Sequence, residues 1–126
     1  MVGFVIVSHS KNLAESVVEL TSMMAPDANI KAAGGMEDGG FGTSFEKISA
    51  AVEEVYTDEG VLILMDMGSA VMTTEMVIEM MPDRNIKMVD CPIVEGAVAG
   101  TVMAVGGMDM DMILDQLADI GTENKF

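Results

Sequence analysis

Four short apolar, β-branched runs recur about every 30 residues, each followed by a stretch of helical periodicity. This alternation constrains the chain more than any other feature. Strand–helix–strand units bury their apolar faces by setting the strands side by side beneath covering helices. The first run, residues 3–7 (Gly-Phe-Val-Ile-Val), is apolar at both alternating positions, as a strand covered on both faces must be. Residues 29–33 form a weaker second run, residues 61–65 (Val-Leu-Ile-Leu-Met) the most strand-like one, and residues 86–89 a short fourth. The expected fold is α/β, with a mostly parallel sheet of four or five strands flanked by helices on both faces. Right-handed crossovers then carry every strand's C-terminal end to one rim.

Between the strands, helices begin where hydroxyl side chains can cap them. Ser10 precedes a pattern with Leu13, Val17, Leu20 and Met24 on one face, which Pro26 and Asp27 end. Thr43 or Ser44 caps a second helix with Phe45, Ile48, Val52 and Val55 inward. A third follows Ser69, its inner face read as Met72, Met76 and Met80, and stops at Pro82. Two more close the chain, one with Val94, Val98, Thr101 and Val105 inward, the other with Ile113, Leu117 and Ile120. Residues 121–126 are polar and are expected to fray. The whole, 1–126, is the size of one domain.

Composition sharpens this picture. Half the residues are hydrophobic, yet only 4% are aromatic and 15 are methionine, so the core is expected to be aliphatic with methionine as filler. The formal charge is -15, from 21 acidic and 6 basic residues. A chain so acidic is a poor match for nucleic acid or an anionic membrane, both of which need basic patches. No apolar run approaches the ~18 residues of a membrane helix, and the N-terminal run lacks a basic leader, so a cytoplasmic location is expected. Cys91 is the only cysteine and has no disulfide partner within the chain.

The expected rim gathers Ser8-His9-Ser10, the glycine-dense residues 34–43, Asp66 to Ser69, and residues 90–95. His9 is the only histidine and directly follows the first strand, where open α/β sheets bind ligands. To carry a phosphoryl group, one ring nitrogen must be a free nucleophile while the other is held as N–H by an acceptor. Asp66, ending the third strand, is the best-placed carboxylate. Helix starts at Ser10, Thr43 and Ser69 would offer hydroxyls and amide N–H groups to phosphoryl oxygens. The glycine run lacks the Gly-Lys-Ser/Thr ending of a nucleotide-binding loop. Cys91 has no second histidine to activate it, and the carboxylates lack metal-ligand spacing, so no metal site is expected.

Val-Ile-Val-Ser-His-Ser at 5–10, Gly42-Thr43, Met-Asp-Met-Gly-Ser-Ala at 65–70 and Val-Glu-Gly-Ala at 94–97 resemble, in order, the phosphocarrier subunits of phosphoenolpyruvate-dependent dihydroxyacetone kinases. Those subunits belong to the mannose-type enzyme IIA group of the sugar phosphotransferase system (PTS). The resemblance implies a homodimeric mannose-type enzyme IIA domain that takes phosphate from the carrier protein HPr onto His9. It passes the phosphate to ADP on a nucleotide-binding kinase subunit, which phosphorylates dihydroxyacetone on a third subunit. This chain would bind no cofactor itself. By position His9 is the phosphorylated residue and Asp66 its carboxylate partner. Ser10, Gly42, Thr43, Gly68 and Ser69 are expected, on chemical grounds, to hold the phosphate. Sugar-specific members carry Asp-x-x-Gly-Gly-Ser-Pro after the third strand, a pattern that residues 66–70 do not follow. Some relatives fuse carrier-like and enzyme I-like domains; here those functions would come from separate proteins.

Three other readings compete. A sugar-transport enzyme IIA would use the same histidine chemistry. A receiver domain would be phosphorylated on Asp66, but needs an acidic pair for Mg2+ after the first strand, where this chain has Ser8-His9-Ser10. A binding module would leave His9 structural.

Overall fold

The computed structural model describes residues 1–126. Four strands, β1 (Gly3–Ser8), β2 (Ile30–Gly34), β3 (Val61–Met65) and β4 (Ile86–Met88), form one sheet in the order β2-β1-β3-β4. All three pairings are parallel. Five helices accompany them: α1 (Lys11–Met24), α2 (Phe45–Val55), α3 (Val71–Glu79), α4 (Ile93–Val105) and α5 (Met110–Ile120). A short 3-10 turn, Gly68–Ala70, leads into α3. The expected α/β sandwich is therefore present, with four strands.

The two-residue period of the strands divides the core between two faces. Phe4, Ile6, Leu62 and Leu64 pack with Ala14 and Val17 of α1, Ala97 and Ala104 of α4, and Ile113 and Leu117 of α5. Val5, Val7, Val61 and Ile63 point the other way, onto Ile48, Val52 and Val55 of α2 and Val77 of α3. Each central strand is thus covered on both sides, which is why residues 3–7 and 61–65 read as continuous apolar runs.

Several helix faces differ from the sequence reading. Helix α1 buries Ala14, Val17 and Thr21, while Leu13, Leu20 and Met24 lie exposed. Helix α3 buries Thr74 and Val77 and turns Met72, Met76 and Met80 to the surface. Helix α4 lies on the sheet through Gly96, Ala97, Gly100, Thr101 and Ala104. The reason is space: a Cβ at Gly96 would stand 2.4 Å from Cys91 Sγ, and one at Gly100 2.9 Å from Phe4 Cε2. Small residues face in, and Val94 and Val105 face out. Methionine as core filler is also overturned. Met110 is the one methionine in the buried core, and nine of the 15 are exposed. The reading of α2 holds for Ile48, Val52 and Val55, and that of α5 for Ile113 and Leu117.

Candidate active site at the β1–β3 switch point

From β1 the chain runs outward to β2 on one side, and from β3 to β4 on the other. The crevice where such connections diverge is where open parallel sheets place ligands. The register pairs Val7 with Met65 and Ser8 with Gly34, so residues 8 and 66 leave adjacent strands at the same level. Asp66 N–H still donates to Val7 C=O, at 3.2 Å, extending the ladder one residue beyond β3. This fixed register brings His9 and Asp66 together across a separation of 57 residues.

The contact has several strands of hydrogen bonding. His9 Nδ1 lies 3.0 Å from Asp66 Oδ1. Asp66 Oδ2 accepts the Ser8 hydroxyl at 2.8 Å and the His9 backbone N–H at 3.1 Å. On the far side of the ring, Ser69 Oγ stands 2.9 Å from His9 Nε2. The side chains of His9 and Asp66 are 23% and 11% exposed, so the pair is largely sheltered. Burial pushes against ionisation of Asp66. The hydrogen bonds from the His9 backbone and ring and from the Ser8 hydroxyl outweigh it and hold the carboxyl below its ordinary value of 3.8. Asp66 is therefore an acceptor-only carboxylate at neutral pH. The proton between it and the ring belongs on Nδ1, and the Nε2 lone pair faces Ser69.

The other expected residues fall out unevenly. Gly42 N–H donates to His9 C=O at 2.9 Å, tying the glycine-rich loop to the site. Its φ of 136° is one that L side chains rarely adopt, and Met36 occupies the space a Cβ would need. Ser10 is the N-cap of α1, its hydroxyl accepting Leu13 N–H at 3.2 Å rather than touching the His9 ring. Thr43 does not cap α2; Ser44 does, accepting Lys47 N–H, and the Thr43 hydroxyl pairs with Thr73 at 3.1 Å. Gly68 opens the 3-10 turn and is exposed, with nothing within 4 Å of where a Cβ would stand. Because that turn intervenes, α3 begins at Val71 rather than at Ser69. The structure thus brings His9, Asp66, Ser69 and Gly42 into one cluster and leaves the Ser10 and Thr43 hydroxyls with partners elsewhere.

Ser8 is the residue the sequence reading passed over. Its place beside His9 at the end of an apolar strand was the available signal. The Cys91 thiol is pushed up to about 11 by burial and by Asp90, so it stays protonated at neutral pH. No three His, Cys, Asp or Glu side chains gather as a possible metal site. No helix is long and apolar enough to cross a membrane.

Fold and histidine placement together define an α/β domain of the enzyme IIA kind. The family model described as PTS system fructose IIA component, the mannose-type enzyme IIA group, matches residues 3–114, and the chain belongs to that family. Among curated relatives, the phosphotransferase subunit DhaM of the PTS-dependent dihydroxyacetone kinase from Lactococcus lactis is 36% identical over 115 residues, covering 91% of this chain and 92% of that protein. A phosphoryl donor subunit DhaM from Listeria innocua is 43% identical over 97 residues, 77% of each. The Escherichia coli phosphoryl donor subunit is 37% identical over 121 residues, 90% of this chain; the chain spans only 26% of that longer protein. Among solved structures, a protein described as of unknown function superposes with a TM-score of 0.84 at 30% identity, covering 99% of this chain and 98% of that one. The phosphotransferase system component EIIA from Streptococcus agalactiae superposes at 0.73 over 97% of this chain and 93% of its own, with 16% identity, which shows the shared fold alone.

Proposed function

We propose that this chain is the phosphoryl-carrier subunit of a PTS-dependent dihydroxyacetone kinase, with a phosphohistidine intermediate on His9. The observation that carries the reading is the line Asp66–His9–Ser69, in which a carboxylate holds one ring nitrogen and leaves the other as the nucleophile. Phospho-HPr supplies the group: a bond forms between phosphorus and His9 Nε2 as the phosphorus–nitrogen bond to the carrier breaks. The ring acquires positive charge, which ionised Asp66 offsets at 3.0 Å. Ser69, displaced from the Nε2 lone pair, turns its hydroxyl to a phosphoryl oxygen, with the exposed Gly68 beside it. Little covalent work is asked of the protein beyond positioning and charge stabilisation.

In the second half the Nε2–phosphorus bond breaks as an ADP oxygen takes the group, yielding ATP on a nucleotide-binding kinase subunit. That ATP drives phosphorylation of dihydroxyacetone on a third subunit. The chain works in the cytoplasm as a homodimer, and the nucleotide stays on the partner. The DhaM names of the relatives support this downstream acceptor, and the family description keeps a sugar-transport enzyme IIA role as the second reading. A receiver role fits poorly, because both Asp66 oxygens already accept hydrogen bonds. The phosphorylated protein should be discharged by ADP-loaded kinase subunits and not by a mannose-type enzyme IIB domain. Discharge by the IIB domain alone would move the chain to the sugar branch.

A further inference from the structure

We infer that Ser8 is a positioning residue: its buried hydroxyl fixes which oxygen of Asp66 faces the His9 ring, and through it which ring nitrogen is left to carry the phosphoryl group. The inference deepens, and rests on, the reading of His9 as the carrier. Ser8 ends β1 and has no exposed surface. Its Oγ donates to Asp66 Oδ2 at 2.8 Å and accepts the Ser10 N–H at 3.0 Å, so one hydroxyl is engaged in both senses. An ionised carboxylate only accepts, so the O–H must point at Asp66, and the bond from Ser10 polarises it further.

Oδ2 therefore faces two donors of fixed direction, the Ser8 O–H and the His9 main-chain N–H. The carboxylate is pinned in rotation, and Oδ1 is left for His9 Nδ1. The ring then keeps its proton on Nδ1. A serine that merely satisfied itself in the core would do otherwise. The buried hydroxyls of Thr21, Thr74 and Thr101 return to carbonyls three or four residues back along the chain, and that of Ser44 caps α2 and donates to carboxylates two and seven residues away, Glu46 and Glu37. Ser8 instead reaches across to the end of a neighbouring strand. The same hydroxyl also ties the Ser10 amide, at the start of α1, to the carboxylate.

His9 is the only histidine, so its two ring nitrogens can be followed by 15N NMR without overlap. The neutral wild-type ring should be the Nδ1–H tautomer, and Ser8→Ala and Ser8→Cys should both show a mixture of tautomers. Phosphoryl transfer from phospho-HPr should slow about tenfold in Ser8→Ala, the loss expected for one hydrogen bond to a charged group. The cysteine variant, near in size but a weak donor, gives the same readouts should the alanine protein fail to fold. A folded variant with the wild-type tautomer and rate overturns the role of Ser8, as does a loss of melting temperature with the tautomer unchanged. Failure of the wild-type protein to take phosphate on His9 would instead overturn the carrier reading, a separate outcome.

Discussion

His9 presents two unlike edges, one nitrogen against a carboxylate and the other against a hydroxyl, and this asymmetry gives the ring its chemical direction. The sharpest probe is Asp66→Asn. Because the Ser8 O–H and His9 N–H both aim at Oδ2, an asparagine must place its carbonyl oxygen there and its NH2 toward Nδ1. The ring would then carry its proton on Nε2, the wrong nitrogen for attack. Transfer from phospho-HPr should fall by roughly 10²- to 10⁴-fold, the range for losing the orienting carboxylate of a catalytic histidine. Stability gives a second readout. The folded carboxyl is more acidic than its ordinary 3.8, so ionised Asp66 stabilises the fold above that value. The contribution disappears as pH falls through the lowered folded value. Unfolding of wild type and variant should therefore differ at neutral pH and converge under acid; a constant gap would contradict the assignment.

At the scale of elements, two strands and the first turn of one helix hold the site. Helix α1 starts two residues after His9 and lies close against the end of β2. A Cβ on Gly34 would stand 2.5 Å from Ser10 C=O, 2.7 Å from Ala14 Cβ and 2.9 Å from Lys11 Cα. Two of these atoms are main chain, so Gly34→Ala must push the start of α1 away. It should cost about 1–3 kcal/mol in denaturant unfolding, as overpacking does, and should slow phosphoryl transfer as well. Wild-type stability would mean that α1 is not seated by this contact. The sequence made β1 and β3 legible because both faces of each strand are apolar, and parallel register made the His9–Asp66 pairing legible in turn. It misled for α3 and α4, where a stripe of methionine or valine imitates a core face. In α4 the true interface is set by small residues, Gly96, Ala97 and Gly100, whose value lies in close approach rather than hydrophobicity, and in α3 by Thr74 and Val77. A single hydroxyl in an apolar strand, such as Ser8, carries no periodic signal, and the pairing of Thr43 with Thr73 goes with Ser44 taking the cap of α2.

For the whole molecule, charge and surface chemistry follow from the same layout. Four of the six basic side chains are engaged in ion pairs, Lys31–Glu54, Arg84–Glu53, Lys87–Asp111 and Lys125–Glu95, none of them at the site. Lys47 Nζ donates to Gly34 C=O at 2.6 Å. The sixth, Lys11, opens α1 two residues after His9 and makes no ion pair; on the proposed reading, a phosphoryl group on His9 would otherwise depend on hydroxyl and amide donors. A chain of net charge -15 also draws basic faces toward it, which would favour docking with the proposed carrier protein where that partner presents one. The proposed chemistry stands or falls on His9 as the residue that carries phosphate. The most direct test is peptide-resolved mass spectrometry of wild type and His9→Ala after incubation with phosphoenolpyruvate, enzyme I and HPr. One acid-labile phosphoryl group is expected on His9 of the wild-type protein and none on the variant. An unmodified His9 under conditions that phosphorylate a known acceptor, or equal labelling of the variant, would contradict it.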